Sequence, residues 1–81
     1  MYRFILDEEA VFAFARFEPD DQLALLRAFE ELGRHLVYSG LASFRDREGR
    51  ENFIFRADAF LLTLRFDHAV KEVRVVDLGR I

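Results

Sequence analysis

Eighty-one residues, 52% of them hydrophobic and 33% charged, suffice for one compact domain and leave no room for a second core. Cysteine is absent, which excludes a disulfide framework and a thiolate metal site, and no apolar run approaches the roughly 18 to 20 residues that a membrane span requires. The net charge of −3 argues against a general nucleic-acid binder, but it is unevenly spread: residues 1–31 hold eight acids against three arginines (−5), and residues 32–81 hold nine basic residues against seven acids (+2).

The N-terminus shows no basic stretch leading into an apolar run, so no secretory signal is expected and the default location is the cytoplasm. Tyr2, Phe4 and Leu6 alternate with Arg3 and Ile5, the period of a strand. Asp7 then stands as N-cap of a helix over Glu8–Phe17, with Glu8 and Glu9 favoured by the dipole of its first turn. Val11, Phe14 and Ala15 are its expected inner face, with Phe12 at the edge. Glu18-Pro19 ends this helix, because the residue before proline is pushed out of the helical region. Pro19 suits the first position of a second helix, with Asp20 and Asp21 in its opening turn. Leu25, Leu26, Phe29, Leu32, Leu36 and Val37 recur at three- and four-residue steps and should face the core, and Ser39-Gly40 supplies the stop. Residues 41–52 are read as either a brief strand at Ser43–Arg47, turning at Glu48-Gly49, or a loop.

Three strands follow: Glu51–Ala57, Phe60–Phe66 and Lys71–Asp77, each with large apolar residues at every second position. The breaks at Asp58-Ala59 and Asp67–Val70 are short enough for hairpins. The expected architecture is therefore α+β, a single domain over residues 1–81: strand, helix, helix and an antiparallel β-meander, with a helical hairpin on one face of a small antiparallel sheet.

Alternation also predicts which strand residues face away from the helices. The core set is Tyr2, Phe4, Leu6, Phe53, Phe55, Phe60, Leu62, Leu64, Phe66, Val73 and Val75. The opposite set includes Ile5, Asn52, Ile54, Leu61, Thr63, Glu72, Val76 and Leu78, with one arginine from each strand: Arg3, Arg56, Arg65 and Arg74. Arg80 lies just beyond the last strand. Several guanidinium forks on one sheet face form an anion-binding surface. The alternative is that the long stems cover apolar sheet while the charged heads stay wet, with Glu72 pairing across strands.

Other chemistry has little support. His35 at a helix end is explained by the helix dipole, and His68 beside Asp67 by turn formation, although an Asp-His dyad is the sharper alternative. Asp7, Glu8 and Glu9 crowd a helix start, where capping accounts for them better than a metal does. No glycine-rich loop, nucleophile elbow or His-Glu metal motif occurs, so neither a cofactor nor a metal is expected.

The order Tyr2-Arg-Phe-Ile-Leu6, Leu6-Asp-Glu-Glu-Ala10, Glu18-Pro-Asp-Asp21, Phe29-Glu-Glu-Leu32, Phe53-Ile-Phe-Arg-Ala-Asp58, Phe60-Leu-Leu-Thr-Leu-Arg-Phe66 and Val73-Arg-Val-Val-Asp-Leu-Gly-Arg80 resembles the RelE/ParE superfamily of bacterial toxins from toxin–antitoxin pairs. The resemblance implies the strand–helical hairpin–meander fold, a cognate antitoxin as partner, and a target that is either messenger RNA on the ribosome or DNA gyrase. In the nuclease branch, basic residues on the sheet steady the scissile phosphate, and a C-terminal Tyr or His often activates the ribose hydroxyl. Arg80 matches the basic residue that closes the last strand and is the best catalytic candidate; an enzyme of this family would be an endoribonuclease. Two departures weigh against cleavage. The middle strand opens Ala59-Phe60-Leu61 where the family often has Tyr-Arg, and no Tyr or His follows Arg80 before Ile81. Binding through Arg3, Arg56, Arg65, Arg74 and Arg80 is the expected mode of action. The alternative is a non-catalytic interaction domain on the same scaffold that forms a homodimer.

Overall fold

The computed structural model describes residues 2–34 and 42–81. Its elements run β1 (Arg3–Leu6), α1 (Glu8–Arg16), α2 (Pro19–Arg34), β2 (Ala42–Arg45), β3 (Glu51–Ala57), β4 (Phe60–Asp67) and β5 (Glu72–Arg80). They build a five-stranded sheet in the order β1-β5-β4-β3-β2. The β2–β5 segment is an antiparallel meander, as expected, but β1 joins β5 in parallel, so the sheet is mixed rather than antiparallel. Residues 42–45 form the fourth strand of the meander, which decides between the two alternatives for that stretch. The helix stop at Ser39-Gly40, and Leu36 and Val37, lie outside the described residues.

Local chemistry explains the breaks. Phe17 is extended, ahead of the Glu18-Pro19 pair, and the Gln22 side chain donates to the Phe14 carbonyl at 2.9 Å, tying the two helices together. Asp58 (φ 55°) turns β3 into β4, and Gly49 (φ 80°) turns β2 into β3, where a glycine avoids the cost of left-handed backbone.

The core lies between the helices and one face of the sheet. Ala10, Leu25, Phe29, Phe55, Phe60, Leu62, Leu64, Val73, Val75 and Leu78 are buried, and Tyr2, Phe4, Leu6, Phe53 and Phe66 pack against them. Three expectations about facing residues are corrected. In α1 the inner face is Ala10, Ala13, Phe14 and Phe17, a full i, i+3, i+4, i+7 stripe; Val11 and Ala15 face outward with Phe12. In α2, Leu25 and Phe29 are buried while Leu26 is exposed. In β5 a register shift opposite Thr63/Leu64 inserts one extra residue, Val76, between Val75 and Asp77. Beyond this bulge the alternation reverses: Leu78 pairs with Leu62 in the core, not on the far face as expected.

Candidate functional site

The register places Arg3 and Glu72, Ile5 and Arg74, Arg65 and Arg74, and Ile54 and Thr63 side by side on the face opposite the helices. Arg56 lies on this face too, opposite Leu61. Arg3, Arg56, Arg65 and Arg74 thus come from four different strands onto one surface. The bulge puts Arg80 elsewhere. As the Cα partner of buried Phe60 it projects on the helix side, where its guanidinium lies 6.0 Å from the Phe60 ring centre and pairs with Asp21 of α2.

Most of these cations have carboxylate partners. Arg3 pairs with Glu72, and Arg74 donates to Asp7 at 2.7 Å. Asp7 occupies the N-cap position of α1 by its backbone, but its side chain makes no capping hydrogen bond. The expected cap is instead an ion-pair partner, which raises the Arg74 pKa further above its already high value and keeps that group charged. Arg65 meets Asp46 at a longer 3.4 Å. Arg56 donates through Nε to the Asp58 carbonyl and has no carboxylate within ion-pair distance among the described residues.

Asp46 organises the β2–β3 turn. Its Oδ1 accepts the backbone N–H groups of Glu48 and Arg50, both at 2.9 Å, while Oδ2 faces Arg50, Asn52 and Arg65. These bonds, led by the one from the Arg50 backbone, hold its carboxyl below the ordinary value against the opposing pull of burial. Asn52, expected on the open face, is on that side but buried at 1% exposure among the turn residues.

The β4–β5 turn adds groups whose convergence no local pattern announces. Asp67 accepts from the Ala69 N–H at 3.1 Å and so serves its own turn. His68 instead lies 2.6 Å through Nδ1 from the Tyr2 hydroxyl and stacks on Phe66 with centroids 5.8 Å apart and planes at 4°. Tyr2 and His68 are 66 residues apart in the chain, so only the folded sheet end brings them together. A cleft of about 350 Å³ at this end is lined by Arg50, Arg65, Phe66, Asp67, His68 and Arg74. His35 lies outside the described residues. Among those described, no cluster of three His, Asp or Glu groups is placed to hold a metal ion, and no helix is long and apolar enough to cross a membrane.

No protein-family model matches this chain, and no curated protein sequence does. Solved structures do. With a chain of the toxin–antitoxin complex RelBE2 from Mycobacterium tuberculosis it shares 20% identity at a TM-score of 0.79, over 99% of this chain and 98% of that one. With a chain of the intact E. coli RelBE toxin–antitoxin complex the values are 16% and 0.72, over 100% and 98%. With the isolated E. coli RelE toxin they are 15% and 0.68, over 99% and 84%. The chain has the RelE toxin fold. On this RelE fold, the helical hairpin covers one sheet face and the arginines of β1, β3, β4 and β5 share the other.

Proposed function

We propose that this chain is the toxin of a toxin–antitoxin pair, acting in the cytoplasm on a target that it binds through its arginine-bearing sheet face. The observation that carries this is the combination of the RelE fold with Arg3, Arg56, Arg65 and Arg74 on the face that the helices leave bare. Guanidinium groups suit phosphate and carboxylate ligands, which fits either of the two targets, ribosome-bound messenger RNA or DNA gyrase. Arg80 contributes from the neighbouring margin, on the helix side. Two of the matched structures are toxin–antitoxin complexes, RelBE2 and RelBE, which supports an antitoxin partner here, one that covers the arginine face or wraps the helices.

Expression of the chain alone from an inducible promoter in a bacterium tests the proposal. Arrested growth is expected, relieved by co-expression of the antitoxin and by replacing Arg56 and Arg65 together with alanine. Incorporation of labelled amino acids then separates a translational target from a gyrase target, which plasmid supercoiling reports. Normal growth at full expression counts against the toxin.

A second function has its own observation. Three of the four far-face arginines are already ion-paired within the chain, and Phe44 and Leu61 stay exposed at 46% and 40%. A neutralised, partly apolar surface suits a protein partner, including a second copy of this chain. Sizing the purified protein decides: a tight dimer whose activity survives the Arg56 and Arg65 replacements favours a non-catalytic interaction domain.

A further inference from the structure

β2 closes one side of the sheet, with β3 as its neighbour and no strand on its outer edge among the described residues. All of its residues, Ala42 to Arg45, are exposed. The Asp46 N–H donates to the Arg50 carbonyl at 3.0 Å, which sets the alternation of the β2–β3 ladder. Asp46, Phe44 and Ala42 turn their backbone N–H and C=O groups toward β3, and Ser43 and Arg45 turn theirs to the open edge.

This edge is unguarded. It carries no proline, lysine or bulge, the devices that keep exposed edges from pairing. Phe44 stands in its middle, 46% exposed, on the far face with its partner Asn52. The strand is also self-complementary. When two copies align antiparallel about an axis through Phe44, Ser43 of each meets Arg45 of the other, and each such pair exchanges both of its backbone N–H···O bonds. Phe44 then faces Phe44 of the second copy at a position without hydrogen bonds, where opposed side chains come closest. No like charges stand directly opposite. The Arg45 guanidinium donates to the Gly49 carbonyl at 2.8 Å, which draws it toward its own turn and away from that axis.

We propose that β2 is a contact for a second copy of this chain, whose own β2 adds antiparallel to the open edge, centred on Phe44, and extends the sheet across both molecules. Strands this short bury far less than the roughly 1,600 Å² of a standard interface, so the dimer should be weak, with a Kd of roughly 10 to 1,000 µM. It is thus distinct from the tight dimer that would mark a non-catalytic interaction domain. The contact leaves the arginines of β1, β3, β4 and β5 uncovered, so it is compatible with a toxin and goes beyond that function.

Sedimentation velocity of the full-length chain, from about 1 µM to about 1 mM, tests this, and a monomer giving way to a dimer is expected. Ser43→Pro deletes an outward N–H and spares the ladder to β3, and Phe44→Lys sets like charges against each other at the axis. Each should raise the midpoint at least about tenfold with circular dichroism unchanged, whereas Phe12→Lys, at a similarly exposed phenylalanine on α1, should not. Because the chain has no cysteine, a single substitution reads the register. Phe44→Cys should oxidise to a covalent dimer, since opposed Cα atoms at such a position lie about 4.5 Å apart. Ser43→Cys, whose counterpart is diagonal at about 7 to 8 Å, should cross-link far more slowly. A chain still monomeric at about 1 mM overturns the contact. So does a dimer that neither Ser43→Pro nor Phe44→Lys weakens, or Ser43→Cys cross-linking as fast as Phe44→Cys. Growth arrest by a chain that stays monomeric would remove this contact alone, and the expected dimer without growth arrest would remove the toxin function alone.

Discussion

Leu78 lies directly across from Leu62 on the helix side of the sheet, and both are buried. Simple alternation along β5 would turn Leu78 outward; the extra residue at Val76 turns it in. Leu78→Ala should therefore cost about 2 to 4 kcal/mol in urea unfolding, the range for a core leucine. Leu61→Ala, at an exposed far-face position, should change stability by less than about 0.5 kcal/mol. Equal costs would show that the strand has no bulge.

The opposed pair Arg65 and Arg74 predicts a trade of stability against binding. Arg65→Met removes a like-charge opposition and a buried, unmet N–H, and gives up only a long ion pair to Asp46. At low salt this variant should melt a few degrees higher than the parent. The gain should shrink as added salt screens the repulsion. A lower melting temperature at every salt concentration would mean that the Asp46 contact outweighs the opposition.

Much of this was legible in the chain. The period-two runs of β3 and β4 and the proline at the start of α2 are local signals, and each fell where the sequence placed it. The four far-face arginines followed from the same alternation. The errors share one cause, which is that tertiary context chose among residues that local patterns could not rank. Ala10 is small enough to sit against the sheet, so α1 turned it inward at the expense of Val11. The bulge at Val76 carries no local signature, and it moved both Leu78 and Arg80 to the helix side. Tyr2 and His68 meet only because β1 pairs with β5 at the far end of the chain.

Asp46 gives the turn between β2 and β3 a pH dependence. Its carboxyl is held below the ordinary value of 3.8, first by the Arg50 backbone N–H. A depressed carboxyl pKa stabilises the fold fully above the ordinary value, and that contribution disappears as pH falls below it. Asp46→Asn should thus flatten the acid limb of the stability profile below about pH 4. At neutral pH it should speed amide exchange at Glu48 and Arg50, whose N–H groups lose a charged acceptor. Parallel acid limbs in parent and variant would assign the acid sensitivity to other carboxylates.

Arg80 and Asp21 allow structure and function to be separated at the best catalytic candidate. The guanidinium is about half exposed, pairs with Asp21 and lies over Phe60, on the opposite side of the sheet from Arg3, Arg56, Arg65 and Arg74. With the guanidinium half exposed and Asp21 largely covered, the ion pair contributes about 0.2 to 1 kcal/mol. Arg80→Ala and Asp21→Asn should therefore lower stability by similar small amounts, and the double variant by little more than either, as measured by a double-mutant cycle. A purely structural arginine predicts that all three variants arrest growth as the parent does. If Arg80 instead touches the target, Arg80→Ala alone loses growth arrest, while Asp21→Asn, which frees the guanidinium, keeps it. Because the stability cost of the two single variants is matched, a difference between them in growth arrest reports contact with the target and not a weakened fold.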